Sequence, residues 1–155
     1  MRVALLSGSV YGAAEDVARH AVRQLQALGH HCYFDPRGNL TAMLAYAPEA
    51  LLGITSTTGM GEIPDNLVPL YSELSDTLPL ALRGLPGGVI GLGDSSYSDT
   101  FCAGAVQLQG LFDELGIRQV QPMLRLDASE SVTPETDAEP WLEAFGHTLL
   151  RNVQA

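Results

Sequence analysis

Ser7-Gly8-Ser9-Val10-Tyr11-Gly12-Ala13-Ala14-Glu15 lies between a compact apolar run, Val3-Ala4-Leu5-Leu6, and a long helical pattern, so it turns a buried strand into a helix. The first N–H groups of a helix have no intrahelical partner and carry the positive end of its dipole, which suits them to an anion. Gly8 and Gly12 are expected to let the backbone curl closely around such a guest, a phosphate in the first instance. The same turn also serves parallel-sheet proteins that bind nothing there, because the bend itself calls for small residues.

Working outward, residues 2–6 read as a fully buried strand. Ala13 to Leu28 reads as an amphipathic helix with Val17, Ala21, Val22, Leu25 and Leu28 on one face, closed by Gly29. Residues 30–34 predict a second strand, ended by the turn cluster Asp35-Pro36-Arg37-Gly38. His30 and His31 are neighbours on that strand and point to opposite faces, with no third ligand near, so a structural role is expected for both. A short helix over 40–47 leads to a third buried strand, 50–55, which runs into the polar loop Ser56-Thr57-Thr58-Gly59-Met60-Gly61-Glu62. Pro64-Asp65-Asn66 is expected to open the next helix, with Leu67, Leu70, Tyr71, Leu74 and Leu78 at helical spacing. Strand 87–92 runs into a third polar loop, Gly93-Asp94-Ser95-Ser96-Tyr97. Helix 101–115 ends at Gly116, an uninterrupted last strand is expected from Val120 to Leu126, and a last helix from Glu139 to Val153 turns Trp141, Phe145 and Leu149 inward.

Buried strands alternating with amphipathic helices, without repeat or linker, predict an α/β doubly wound sandwich with a five-stranded parallel sheet, one domain over residues 1–155. In such sheets ligands sit outside the carboxyl ends of the strands, and all three polar loops follow strands directly, so they converge on one rim.

Composition narrows the partners. The 155 residues carry a formal net charge of -10 with pI near 4.6, which argues against nucleic acid and anionic membrane surfaces and favours a basic protein partner. No apolar run approaches the length of a membrane span and no cleavable leader is visible, so a cytoplasmic protein is expected. Cys32 and Cys102 stand far apart without metal-ligand spacing, which supports neither a disulfide framework nor a zinc site. All basic residues are arginines, and the absence of lysine excludes Walker-type phosphate binding and Schiff-base catalysis.

Three loops on one rim suit a dinucleotide, a nucleoside triphosphate, a phosphoacceptor aspartate or a flavin mononucleotide. The first loop lacks the central glycine that admits a pyrophosphate. A receiver domain needs acidic residues where Ser7 and Ser56 stand, and its lysine is missing. What remains is a monophosphate held by backbone amides and a hydroxyl, beside two loops able to sandwich a flat ring.

On the segments Gly8-Ser9-Val10-Tyr11-Gly12-Ala13-Ala14-Glu15, then 55–66 from Thr55 to Asn66, then Gly91-Leu92-Gly93-Asp94-Ser95-Ser96-Tyr97 with Phe101-Cys102, the chain resembles the flavodoxin family, in particular its short MioC and YqcA type. Leu126-Asp127-Ala128-Ser129-Glu130 is similar to the YqcA branch. The resemblance implies FMN, with its phosphate on Ser9, Val10, Tyr11, Gly12, Ala13 and Ala14. It implies that Ser56, Thr57, Thr58, Gly59, Met60 and Gly61 line one side of the isoalloxazine and that Tyr97 stacks on the other. The backbone around Leu92, Gly93, Asp94, Phe101 and Cys102 would read the pyrimidine edge. It also implies that the peptide at Gly59-Met60 flips with the redox state of the flavin, a movement that glycine permits cheaply. Two places depart from the family: Tyr11, Ala13 and Ala14 stand where many members carry hydroxyls and an asparagine, and Thr58 stands where many carry an aromatic ring.

Function follows from the same residues. Glu62, Asp65, Asp94 and Asp99 have no histidine or cysteine partner within a recognisable catalytic motif, so the expectation is an electron-transfer protein and not an enzyme. A quinone or azo reductase would need a nicotinamide pocket and a dimer interface, and a module without flavin would be the reading if the thinned phosphate loop failed to bind. A monomer is expected. The partners implied are an NADPH-dependent flavodoxin or ferredoxin reductase with a basic surface, and acceptor redox proteins. They would meet an acidic rim that continues through Asp127, Glu130, Glu135, Asp137 and Glu139.

Overall fold

In the computed structural model, which describes residues 1–58, 60–97, 100–130 and 133–154, strands and helices alternate along the chain. They are β1 (Arg2–Gly8), α1 (Ala13–Ala27), β2 (His31–Phe34), α2 (Leu40–Ala45), β3 (Ala50–Thr55), α3 (Val68–Thr77), β4 (Pro86–Gly93), α4 (Ala103–Leu115), β5 (Arg118–Gln119), β6 (Leu124–Asp127), α5 (Pro134–Asp137) and α6 (Glu139–Gln154). All pairings are parallel, in the order β2-β1-β3-β4, and β5 and β6 share the fifth place beside β4.

The central strands are apolar on both sides because helices cover both faces of the sheet. Val3 and Leu5 of β1 pack with Val17, Ala21 and Leu25 of α1 and with Leu142, Phe145 and Leu149 of α6. Ala4 and Leu6, the alternate residues, pack with Leu70 and Leu74 of α3 and with Leu108 and Phe112 of α4 on the other face. Each fully buried leucine in these layers contributes about 1.5–3 kcal/mol. Trp141 is only half-buried: its ring stacks on Phe145 with centroids 5.1 Å apart and its indole N–H donates to the Pro122 carbonyl at 2.8 Å.

Three expectations are corrected. The last strand is interrupted: Pro86 pairs with Arg118 and Gly87 with Gln119, but Ile90 pairs with Leu124 and Gly93 with Asp127, so the register slips by two residues across 120–123. Pro122 inside that stretch has no N–H to offer the ladder. Pro64-Asp65-Asn66 forms a turn ahead of α3, not its first turn, and Leu78 caps the helix in a left-handed conformation (φ 40°) with its side chain exposed. His30 lies outside β2; it is buried, its Nδ1 3.1 Å from the amino terminus and its Nε2 2.9 Å from the Gly146 carbonyl, while His31 is exposed.

Candidate functional site

Strands β1, β3, β4 and β6 all run toward the same edge, and the loops that leave them border a cleft of about 610 Å³. Val10, Tyr11 and Ala13 bring in the first loop, Ser56, Thr57 and Thr58 the second, and Leu92, Gly93, Asp94, Tyr97 and Thr100 the third. A fourth segment, Leu126-Asp127-Ala128 with Pro134, closes the far side. The cleft lies at the carboxyl ends of strands on either side of the point where the strand order reverses.

The first loop is shaped for an anion. Gly12 precedes α1 with φ 92°, a left-handed conformation that disfavours any side chain. No side chain caps the helix, and among the described residues no protein acceptor takes the backbone N–H groups of Val10 to Glu15. The hydroxyl of Ser9 is buried without a partner. A buried polar group left unpaired costs about 1–3 kcal/mol, so the Ser9 hydroxyl is a demand for an acceptor, and the open N–H groups beside it, on the exposed Val10, Tyr11 and Ala13, are available to the same ligand. The loop's own amide differs: the Ser9 N–H donates to Asn66 Oδ1 at 2.8 Å. Gly8 ends β1 without a positive φ, and close contact fixes its identity instead: a Cβ there would stand 2.6 Å from Thr55 Oγ1 and 3.0 Å from Leu67.

The second loop is cross-tied at its base. Thr58 N–H donates to the Glu62 carbonyl at 2.9 Å and Gly61 N–H to the Thr58 carbonyl at 2.8 Å, which makes a tight hairpin. Gly61, buried at φ 86°, gives its carbonyl to Gln107 Nε2 at 2.9 Å, and Met60 at the tip is 83% exposed. Gly59 and Asp99 lie outside the described residues.

In the third loop a carboxylate arranges the backbone. Asp94 Oδ1 accepts from the Ser96 N–H at 2.9 Å and from the Ser96 hydroxyl, and Tyr97 N–H donates to the Asp94 carbonyl at 3.0 Å. Asp127 Oδ1, from the end of β6, accepts from the N–H groups of Ser95 at 3.0 Å and Ser129 at 2.9 Å, and from the Ser129 hydroxyl at 2.8 Å. These bonds, those of Ser95 foremost, hold its carboxyl well below the usual carboxylate range. Tyr97 borders the cleft with 64% of its surface exposed, although its ring is large and mostly apolar.

Of the expected site residues, Val10, Tyr11, Ala13, Ser56, Thr57, Thr58, Leu92, Gly93, Asp94 and Tyr97 meet at the cleft. Gly8, Ala14, Gly61 and Cys102 stand behind it: Ala14 and Cys102 are fully buried, and the Cys102 thiol is pushed up to about 11 by burial. Phe101 packs half-buried against the core, and Met60 reaches outward. Thr100, Leu126, Asp127, Ala128, Pro134 and Asn66 complete the surroundings without having been assigned from the sequence. The first five lie on the third loop, at the end of β6 or in the segment that follows it, where a fourth polar turn, Asp127-Ala128-Ser129, was the available signal. Tyr11 was assigned through its backbone, yet its ring stands 98% exposed at the cleft mouth. No histidine or cysteine borders the cleft among the described residues, and no group of three or more His, Cys, Asp or Glu is placed to hold a metal.

The flavodoxin family model matches residues 5–141. Flavodoxin YqcA of Escherichia coli is 40% identical over 148 residues, covering 96% of this chain and 97% of that protein. Protein MioC of Escherichia coli is 34% identical over 149 residues, covering 95% and 97%. A solved cysteine-to-alanine mutant of flavodoxin from Pseudomonas aeruginosa superposes with a TM-score of 0.92 at 64% identity, covering 96% of this chain and 99% of that one. With the strand order and the convergent loops, these likenesses establish that the chain belongs to the flavodoxin family, whose cofactor is FMN.

Proposed function

We propose that the chain is a low-potential one-electron carrier that takes electrons from an NADPH-dependent flavodoxin or ferredoxin reductase and passes them to acceptor redox proteins. The observation that carries this reading is the first loop, with its open backbone donors and a buried, unpartnered Ser9 hydroxyl beside the cleft. The residues fit FMN. Val10, Tyr11, Gly12, Ala13 and Ala14 would offer N–H groups and Ser9 its hydroxyl to the phosphate. Ser56, Thr57 and Thr58 would line one side of the ring and Tyr97 the other. When bound, the flavin supplies the electron-accepting and electron-donating chemistry. The protein's part is to hold the ring, keep its inner side dry and set the charge around it.

That charge is negative. Asp94 and Asp127 border the cleft, and Glu62 and Asp65 are exposed beside the second loop. Fixed negative charge opposes a further negative charge on the ring, which lowers the potential of the second electron. Glu62, Asp65 and Glu130 also give a basic partner an approach, whereas Glu139 is engaged by His20 at 3.0 Å. Complementary charge of this kind acts mainly on encounter.

Two measurements test the reading. Titration of apo-protein should show one-to-one quenching of FMN fluorescence with preference over FAD; no binding at high micromolar FMN rules the reading out. Reduction by such a reductase should slow steeply with salt, as the Debye length shrinks from about 30 Å at 0.01 M to about 3 Å at 1 M. The Glu62→Gln/Asp65→Asn double variant should lower the low-salt rate and leave FMN binding nearly intact. A rate indifferent to salt and to both changes would remove the acidic rim from the docking account.

A further inference from the structure

We propose that Asn66 is a positioning residue for the phosphate loop: it fixes the peptide at Gly8-Ser9, decides which donors are left for the phosphate, and so acts on recognition of the phosphate and not of the ring. The proposal rests on the reading that this loop holds the phosphate of FMN.

Asn66 sits in the turn between the second loop and α3, and its side chain reaches three separate segments. Its Oδ1 accepts from the Ser9 N–H at 2.8 Å, and its Nδ2 donates to the Ser7 carbonyl at 3.2 Å and to the Pro36 carbonyl at 3.2 Å. One N–H and two carbonyls face the carboxamide, so only one orientation of its oxygen and nitrogen satisfies all three. Ser7 and Ser9 flank Gly8, and the single side chain thus brackets the backbone on both sides of that glycine. The carbonyl of Gly8 is held from just beyond β3, where it accepts from the Ser56 N–H at 2.8 Å. Leu67, the next residue after Asn66, packs on the same glycine so closely that a Cβ there would meet it at 3.0 Å.

The consequence for the loop is selective. The Ser9 N–H is withdrawn from ligand duty, while the Ser9 hydroxyl and the N–H groups of Val10 to Glu15 have no protein acceptor among the described residues. The loop therefore meets its ligand with the strand end locked and the donors of Val10 to Ala14 open. A donor set fixed before binding loses less freedom when the ligand arrives. The carboxamide also ties the phosphate loop to the turn that continues from the second loop and to the Pro36 turn, so these segments keep one spacing.

The test compares FMN with riboflavin, which carries the same ring without the phosphate, on wild type, Asn66→Ala and Asn66→Asp, with dissociation constants read by flavin fluorescence. Wild type should bind FMN much more tightly than riboflavin. Asn66→Ala should weaken FMN about tenfold and riboflavin less than twofold. Asn66→Asp keeps an acceptor for the Ser9 N–H but faces two carbonyls with a carboxylate, and should show an FMN loss at least as large. Amide exchange in the wild-type apo-protein adds a readout that needs no variant: the Ser9 amide should exchange more slowly than those of Val10 and Tyr11. Equal losses for the two flavins, unchanged FMN affinity, or a Ser9 amide as labile as its neighbours would overturn the role of Asn66. A wild type that does not prefer FMN to riboflavin would instead overturn the phosphate reading beneath it.

Discussion

The two ends of β1 treat their polar groups in opposite ways. At its start they are closed within the protein: His30 spans the amino terminus and the Gly146 carbonyl, His31 N–H donates to the Met1 carbonyl at 2.9 Å, and Arg2 N–H donates to Glu49 Oε1 at 2.9 Å. At its finish the Ser7 and Ser9 hydroxyls are buried with no partner, and the amides of the following turn are open. Burial without a partner costs stability, and burial with one roughly breaks even or gains. The starting end therefore holds the sheet to α6, whereas the finishing end carries a cost that a bound phosphate can offset.

The largest test of this contrast is His30→Ala. It removes two hydrogen bonds and opens a cavity, so chemical denaturation of apo-protein should show a loss of roughly 2–4 kcal/mol with FMN affinity unchanged. Burial, aided by the neighbouring ammonium of Met1, holds His30 below its ordinary value. As pH falls, the unfolded chain then takes up this proton before the folded chain does. The stability that His30 contributes is present above about pH 6.5 and drains away below it, and the variant should lack that part of the pH dependence. A His30→Ala protein that is as stable as wild type, or that loses FMN, would break the contrast.

Tyr97→Ala tests the other end through the ring. Its loss should cost roughly 1–3 kcal/mol of FMN affinity, the range of aromatic stacking on planar bases, with little effect on apo-protein stability. The potential of the second reduction should rise, because an electron-rich ring facing the flavin disfavours added negative charge. Ser9→Ala is the finest probe. It should weaken FMN by about 0.5–2 kcal/mol and leave the apo-protein as stable or slightly more so, since a buried, unpaired hydroxyl is removed. A Ser9→Ala apo-protein that is clearly less stable would mean that the hydroxyl already has a partner.

The layered architecture was legible because each central strand is apolar on both faces and each helix has a stripe; periodicity alone separates them. The site was legible where glycine and hydroxyl residues directly follow a strand, as at Ser9 to Gly12, at Ser56 to Thr58 and at Asp94 to Tyr97. Asn66 was not, because a polar residue after Pro-Asp reads as a helix opener. Its bonds to Ser9, Ser7 and Pro36 span 57, 59 and 30 residues of chain, a distance that local pattern cannot reach. His30 was read as a strand residue for a related reason: its role depends on α6, which follows more than a hundred residues later. Likewise the apolar run from Val120 promised a continuous strand, and only the pairing with β4 reveals the slip.

That slip bears on self-association. The outer lane beside β4 is one of two places where the sheet could recruit a strand from another molecule, and a long, flat, apolar edge there would template fibrous growth. Here the lane is cut into segments of two and four residues, with Pro122 unable to donate between them and Arg118, Gln119 and Arg125 exposed along it. A passing chain would find no unbroken row of donors and acceptors to copy. The irregularity thus works against addition of molecule to molecule through this edge of the sheet, and restoring a continuous apolar lane would put that protection at risk.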